Sequence, residues 1–316
     1  MRAIYGPVAS WRLGLSLGVD LLGRPKTCTF NCVYCQLGPT VKAARSVEDV
    51  DSYIEPEELR RELLQVRGLL DYIDWITISG VGEPTLSPKL RDSIKAIREV
   101  VGGFRLAILT NSSLLWSEGV RRALDDVDLI VAKLDAADDN VLNSVNRPAL
   151  SLRASDLASW VKLTAMERGH GVALQVMLVK GLNDGEDHLL RLAELARHIE
   201  PEVVYLGTPI RPTQEPYAKP LGPSRLRLAE EVFRGVGLKV RTPMRPLEAS
   251  ASRPLRPLRV LETLARRPCR AIDLARSMGV EVEEVVEALR ELEARGLVRA
   301  KVYEGEVYYE ASFRGS

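Results

Sequence analysis

Three cysteines that lie close together are the residues of this sequence best suited to chemistry. Cys28, Cys32 and Cys35 are spaced C-x3-C-x2-C, and Cys269 is the only other cysteine among 316 residues. Soft thiolate ligands suit iron, and a loop this short lets three of them converge on one face of a cubic iron–sulfur cluster. The fourth iron would then lack a protein ligand, and an open coordination position allows a small molecule to bind.

A structural zinc site is the main alternative interpretation of these cysteines, and chance is the other. Structural zinc normally has four protein ligands in a closed tetrahedron. No fourth cysteine or histidine lies near the motif, because Cys269 is distant and the histidines are His170, His188 and His198. The spacing therefore favours an iron–sulfur cluster over zinc.

The rest of the sequence alternates between short apolar runs and amphipathic segments, which predicts a parallel sheet with crossover helices. We predict six strands, at residues 16–22, 75–80, 105–110, 128–134, 173–179 and 203–206. We predict helices between them, at residues 57–70, 89–100, 118–124, 155–168 and 187–198. Ligands of such α/β folds bind at the carboxyl ends of the strands.

Polar and glycine residues stand at those predicted strand ends. The loop Gly80-Val81-Gly82-Glu83 follows the second strand, Asn111 follows the third, and Asp135 follows the fourth. A glycine loop is a weak signal alone, since most such loops are simple turns, and polar strand-end residues are often plain caps. The glycine loop gains weight from its position one strand–helix unit after the cysteines.

The cysteine motif, with the aromatic Tyr34 before its last cysteine, resembles the signature of the radical S-adenosylmethionine (SAM) enzymes. In that family a 4Fe-4S cluster binds SAM through its methionyl amine and carboxylate, donates one electron, and cleaves SAM to methionine and a 5'-deoxyadenosyl radical. The resemblance covers roughly residues 4–245. It implies a radical SAM core over residues 1–245, with an α/β fold that is a six-stranded partial (βα)6 TIM-like barrel.

The resemblance also implies roles for individual residues. The expected cluster ligands are Cys28, Cys32 and Cys35, and the expected binding site of the methionyl amine is Gly80, Gly82 and Glu83. Tyr34 would lie beside the adenine, unless it is a core aromatic, and the candidates for the ribose or carboxylate of SAM are Asn111 and Asp135. Further candidates to face cofactor or substrate are Lys133, Gln175 and Arg211. The implied electron donor is a ferredoxin or a flavodoxin, and the substrate is unknown.

Four other segments resemble a subfamily of archaeal and bacterial iron–sulfur oxidoreductases, distantly related to the wyosine-forming tRNA enzymes, for which no reaction is established. They are Tyr5-Gly6-Pro7-Val8, Asn146-Arg147-Pro148, residues 177–184 and residues 208–212. One leftover cysteine cannot hold a second 4Fe-4S cluster in the usual way. This disfavours the two-cluster arrangement of the wyosine enzymes.

Composition indicates a globular protein without a bulk attraction to nucleic acid or membrane. The hydrophobic content is 46% and the formal net charge is +1, so any contact with an anionic surface would need a local patch. No run of about 18 apolar residues occurs, and Arg2, Arg12 and Asp20 interrupt the first 22 residues, which do not form a signal peptide. We therefore expect a cytoplasmic protein without a membrane partner.

The proline-rich residues 246–254 predict a stiff linker to a second domain over residues 255–316. Three helical segments, at residues 258–265, 271–278 and 282–295, precede a hairpin that turns at Glu304-Gly305. This order resembles a winged helix-turn-helix domain. We expect the linker to keep the domain close to the barrel mouth without making it part of the barrel wall.

Charge favours docking of a protein or substrate over DNA binding by this domain. The third predicted helix and its flanks carry six glutamates and two arginines, a net charge of −4. A helix that enters a DNA groove needs cationic contacts to phosphate. The alternative function is an iron–sulfur redox-sensing transcriptional regulator that binds DNA through the winged helix, so docking of nucleic acid stays open.

Overall fold

The computed structural model describes residues 3–243 and 257–312, without the side chains of residues 257–259. Strands and helices alternate through most of the first part. Its strands are β1 (Ile4–Ser10), β2 (Gly14–Val19), β3 (Thr27–Cys28), β4 (Lys42–Ala43), β5 (Trp75–Ile78), β6 (Leu106–Thr110), β7 (Leu129–Lys133), β8 (Val172–Met177), β9 (Val204–Gly207) and β10 (Val240–Arg241). Its helices are α1 (Pro56–Val66), α2 (Leu90–Val101), α3 (Glu118–Ala123), α4 (Asp139–Val145), α5 (Ala154–Arg168), α6 (Glu186–Ile199) and α7 (Pro223–Gly235).

Eight strands form the main sheet, in the order β1-β2-β5-β6-β7-β8-β9-β10. β1 is antiparallel to β2, and all later neighbours are parallel. The six predicted strands are the middle six, so the predicted count of six is wrong by one strand at each edge. β1 was not predicted because it contains Pro7, and a proline argues against a strand. The pairing register of β1 with β2 shifts at this point, between Tyr5 and Val8. β10 has only two residues.

Both faces of the sheet are buried, as expected for a parallel sheet covered by crossover helices. In β7, Ile130 and Ala132 belong to the main core under the helices, while Leu129 and Val131 belong to a smaller cluster on the inner face. This alternation follows from the two-residue period of a strand. On the helix side, the buried residues of α2 recur at helical spacing, at Leu90, Ile94, Ile97 and Val100.

Residues 257–312 contain the three helices and the hairpin that the sequence predicts. They are α8 (Pro257–Arg266), α9 (Ala271–Met278), α10 (Val282–Ala294) and the antiparallel strands β11 (Val298–Tyr303) and β12 (Glu306–Ala311). They share their own core, which includes Val260, Leu274, Leu289 and Val298. The predicted linker, residues 246–254, lies outside the described residues, and the domain boundaries stay predictions. Within the described ranges, no helix has the length and apolar character needed to cross a membrane.

The C-terminal helices cover the β1 edge of the main sheet. Arg266, at the end of α8, lies over the ring of Tyr5 at 5.0 Å from its centroid, and Arg266 Nε is 3.5 Å from Oδ2 of the buried Asp20. Arg24 Nη2 donates to the carbonyl of Ala265 at 3.0 Å. Proteins commonly protect an open sheet edge by covering it with a helix. The expectation that this domain forms no part of the barrel wall is therefore wrong.

Candidate active site

The cysteine loop lies between β2 and α1 and is anchored to the end of α4. Cys28 lies in β3, which pairs with β4. The N–H of Asn31 donates to the carbonyl of Asn146 at 3.0 Å, and the N–H of Val33 donates to that of Val145 at 3.0 Å. These backbone bonds hold the loop beside the helix that follows β7, at the carboxyl ends of the parallel strands.

Each of the three cysteine sulfurs accepts a hydrogen bond from a side-chain nitrogen. The pairs are Asn111 Nδ2 to Cys28 Sγ at 3.7 Å, Asn146 Nδ2 to Cys32 Sγ at 3.6 Å, and Lys26 Nζ to Cys35 Sγ at 3.1 Å. Hydrogen bonds to ligating sulfurs stabilise thiolates and tune iron–sulfur clusters. The donor set therefore fits a 4Fe-4S cluster held by three cysteines.

The protonation of the cysteines depends on what they bind. Burial raises the pKa of Cys28 to about 12 and that of Cys32 to about 11, so a cluster must displace protons when it binds.

Among the residues described, no three His, Cys, Asp or Glu side chains are grouped to hold a single metal ion. A zinc ion would need such a group, whereas a cubic cluster does not, because each thiolate binds a different iron atom.

The glycine loop after β5 lies directly against the start of the cysteine loop. Gly82 has φ +125°, and a Cβ at this position would lie 1.9 Å from the carbonyl oxygen of Thr27. The next N–H, that of Glu83, donates to the same carbonyl at 3.2 Å. At Gly80 a Cβ would lie 2.2 Å from Cγ of Asp20. Only glycine permits these approaches.

The Glu83 carboxylate is buried and held by its neighbours. Oε1 accepts from the N–H and the hydroxyl of Thr85 at 3.1 and 2.6 Å and from the hydroxyl of Thr110 at 2.7 Å, and Oε2 accepts from the N–H of Asn111 at 2.7 Å. Burial raises the pKa of Glu83, and these bonds oppose the rise. A carboxylate oxygen has two acceptor lone pairs. Oε2 can therefore accept one more donor, such as an ammonium group.

Asn111 joins the glycine loop to the cysteine loop. Its backbone N–H donates to Glu83, while its side-chain Nδ2 donates to the hydroxyl of Thr29 at 2.7 Å and lies 3.7 Å from Cys28 Sγ. The chain turns immediately afterwards, at Ser112, which has φ +72°. One residue at the end of β6 thus connects the two predicted halves of the site.

Asp135, at the end of β7, is the centre of a second network. Its carboxylate accepts from the hydroxyl of Tyr34, from Asn146 Nδ2 at 2.7 Å and from the N–H of Met177 at 2.7 Å. Lys133 Nζ lies 3.8 Å from this carboxylate and 5.0 Å from the centroid of the Tyr34 ring. Asp135 therefore positions Tyr34. The assignment of Tyr34 to the adenine and of Asp135 to the ribose or carboxylate of SAM stays a prediction.

Sequence reasoning gave no role to Lys26, Asp20 or the Asn146 side chain. Lys26 is buried and also donates to the carbonyl of Gly38 at 2.6 Å, but the sequence places it in a turn. Asp20 is buried, and its Oδ2 accepts from the N–H of Val81 in the glycine loop at 3.1 Å. A single aspartate inside an apolar run was the available signal, since carboxylates are almost never fully buried unless paired.

A comparison with protein families decides the class of protein. The sequence model of the Radical SAM superfamily matches residues 25–193, a span that includes the cysteine loop and the glycine loop. The chain belongs to the radical SAM superfamily. It is a radical SAM enzyme, and its cofactors are a 4Fe-4S cluster and SAM.

Two curated relatives of this radical SAM enzyme differ in length and name. It is 32% identical over 222 residues to UPF0026 protein MJ1312 of Methanocaldococcus jannaschii, covering 70% of this chain and 67% of that protein, and so it also belongs to the UPF0026 family. It is 29% identical over 311 residues to GTPase Obg of Brachyspira hyodysenteriae, covering 98% of this chain. The chain spans 45% of that relative's length. The given sequence contains no G-x4-G-K-[S/T] motif.

A solved structure shows the same fold. The crystal structure of a radical SAM methyltransferase from Sphaerobacter thermophilus matches with a TM-score of 0.54 and 17% identity, covering 72% of this chain and 65% of that one. The main sheet of this radical SAM enzyme is thus the curled half-barrel of an α/β fold. At this level of identity the likeness concerns the fold alone.

Replacing Lys26 with glutamine is expected to make the cluster harder to reduce. Lys26 Nζ lies 3.1 Å from Cys35 Sγ, and a positive charge there favours the reduced, more negative cluster. An anaerobic redox titration followed by electron paramagnetic resonance should give a more negative potential. Lys162→Gln is the matched control, because Lys162 is exposed on α5. A potential that Lys26→Gln leaves unchanged would contradict the role of this lysine.

Proposed function

We propose that this enzyme takes a hydrogen atom from a substrate that lies on the inner side of the half-barrel. When bound, the cluster supplies one electron to SAM, whose cleavage gives methionine and the 5'-deoxyadenosyl radical. The observation that carries the proposal is the position of Asn111, which binds the Glu83 carboxylate through its backbone and lies beside Cys28 Sγ through its side chain. Asn111 thus connects Cys28, a proposed cluster ligand, with the Glu83 carboxylate, which can accept a hydrogen bond from an ammonium group.

The residues of the chain would divide the work of holding the cofactors. Three cysteine sulfurs would bind three of the four irons, and the remaining lone pair of Glu83 Oε2 would accept from the methionyl amine. Asp20 would keep the glycine loop in place through the N–H of Val81, 3.1 Å from its Oδ2. Lys26 would balance the negative charge of the sulfurs.

Anaerobic reconstitution tests this function. The purified protein should bind about four irons per chain and, after reduction with dithionite in the presence of SAM, should release 5'-deoxyadenosine. This uncoupled cleavage needs no knowledge of the substrate. A protein that binds one zinc ion per chain and leaves SAM intact would rule the proposal out.

No contact in the described residues favours the regulator alternative. The exposed face of α10 carries Glu283, Glu284, Glu287, Glu291 and Glu293, which is unsuited to DNA phosphates. We propose a winged-helix-like identity for residues 257–312 from the order of its elements, with docking of a protein or nucleic acid as one use of its outer face. Electron supply by a ferredoxin or flavodoxin, a cytoplasmic location and the distant relation to the wyosine enzymes stay predictions.

A further inference from the structure

A cavity of about 130 Å³ lies on the inner face of the sheet, between the barrel strands and the end of α8. Its lining includes Tyr5, Arg12, Ser16, Thr77, Gly80 and Arg267. Because Gly80 belongs to the glycine loop, the cavity adjoins the proposed SAM site. Its volume equals about four water molecules at their share of liquid volume, which is enough for a phosphate or carboxylate group.

Arg12 enters this cavity from the turn between β1 and β2. Its guanidinium lies 5.3 Å from the centroid of the Trp11 ring, and its buried Nε has no hydrogen-bond partner. Among the described residues, no carboxylate forms an ion pair with Arg12. Burial and then the nearby charge of Arg267 lower the pKa of Arg12 to about 10, which still leaves it charged at neutral pH.

Arg267 lines the cavity from the side of the C-terminal domain, and Arg211 lies close enough to Arg267 for their charges to interact. Arg267 follows α8, Arg211 follows β9, and the buried Nε of each has no hydrogen-bond partner. Burial and then Arg267 lower the pKa of Arg211 to about 9. The neighbouring Asp273 does not compensate them fully, because its carboxylate binds Arg270 at 2.9 Å. Arg121, by contrast, forms an ion pair with Glu167, whose Oε2 lies 2.7 Å from Arg121 Nε.

The hairpin of the C-terminal domain fixes the segment that carries Arg211. The hydroxyl of Tyr308 donates to the carbonyl of Ile210 at 2.6 Å, and that of Tyr303 donates to the carbonyl of Pro209 at 3.4 Å. The barrel and the C-terminal domain therefore hold like charges together. Such an arrangement costs stability, because a buried charge without a counter-charge is strongly unfavourable.

We propose that Arg12 and Arg267 bind an oxyanion group of the substrate, a phosphate or a carboxylate, in this cavity. The nearby positive charge of Arg211 would strengthen this binding. The inference rests on the proposed function, since it places the substrate beside the SAM site. Guanidinium groups present a planar fork of N–H donors that matches both oxyanions. The anion would supply the missing counter-charge, and the C-terminal domain would take part in substrate binding through Arg267.

Thermal unfolding of the full-length protein with inorganic phosphate tests the site without the reaction. Against chloride at equal ionic strength, saturating phosphate or malonate should raise the Tm of the wild type by about 5 °C. Arg267→Gln should lose this rise, and without the anion it should unfold at or above the wild-type Tm because repulsion among the arginines falls. A merely structural arginine would instead lower the Tm when replaced. Arg12→Gln, on a different element, should behave as Arg267→Gln does.

Arg290→Gln is the matched control, because Arg290 is exposed on α10 of the same domain, and it should keep the full rise. A rise with phosphate supports a phosphorylated substrate, and a rise with malonate alone supports a carboxylate. No rise with either anion, or a rise that both arginine variants keep, would overturn the proposal. If the rise in Tm vanishes when reconstituted protein is saturated with SAM, the three arginines bind the carboxylate of SAM and not the substrate. That result would also overturn the proposal. Uncoupled 5'-deoxyadenosine formation by the wild type reports on the proposed function separately.

Discussion

Replacing Cys32 with alanine is expected to reduce 5'-deoxyadenosine formation to the level of a protein-free control. The three thiolates hold the cluster jointly, and removal of one leaves a second iron without a protein ligand. The Asn146 side chain, whose Nδ2 lies 3.6 Å from Cys32 Sγ, would then face a methyl group. Iron and sulfide analysis after anaerobic reconstitution measures the loss of the cluster. Chromatography of the dithionite-reduced reaction measures the loss of 5'-deoxyadenosine formation.

Cys269→Ala is the control for this variant. Cys269 is 3% exposed and packs in the core of the C-terminal domain, and its backbone pairs with Tyr309 of β12. Loss of its sulfur should lower stability slightly and leave the iron content at the wild-type value. Wild-type cleavage by Cys32→Ala, or an equal loss of iron in Cys269→Ala, would show that the cluster is held elsewhere.

The parts of this enzyme that sequence reasoning found are those with a local signature. The cysteine spacing and the glycine loop each lie within eight residues, and the six middle strands show as apolar runs between amphipathic helices. Asn111 and Asp135 were selected as candidates because parallel strands place their carboxyl ends together, and their roles toward SAM stay predictions. The structure brings both residues to the cysteine loop, at Cys28 and Tyr34 respectively.

The parts that it missed depend on contacts between distant segments. Asn146 is 114 residues from Cys32, and Arg24 is 241 residues from its partner Ala265. Neither separation leaves a periodic trace in the sequence. Pro7 concealed β1, and without β1 the sheet edge that α8 covers could not be placed. The sequence therefore favoured a tethered second domain where the structure has a packed one.

The packing of the C-terminal domain connects it to the proposed SAM site through two contacts. Arg266 Nε lies 3.5 Å from Oδ2 of Asp20, and the same oxygen accepts from the N–H of Val81 at 3.1 Å. Breaking one partner of a buried ion pair is strongly destabilising. The position of the glycine loop thus depends partly on a residue that lies outside the barrel sequence.

Replacing Glu83 with glutamine is expected to weaken SAM binding by between about tenfold and about 100-fold. The loss of a hydrogen bond to a charged group costs about 1.5–3 kcal/mol, and each 1.4 kcal/mol is about tenfold in affinity. The amide nitrogen of Gln would point N–H groups at the N–H of Asn111, which Oε2 now accepts at 2.7 Å. It would also face the methionyl amine with donors instead of an acceptor.

Equilibrium dialysis of SAM against reconstituted protein of equal iron content measures the effect of this variant. Glu62→Gln is the matched control, because Glu62 is also buried and its Oε2 also accepts from backbone N–H groups, those of Ala3 and Ile4 at 3.0 and 3.1 Å. Both variants should lower the free energy of unfolding, and only Glu83→Gln should lose SAM affinity. Equal SAM affinity in the two variants would mean that Glu83 serves only to fix the loop, and that the amine binds to other atoms.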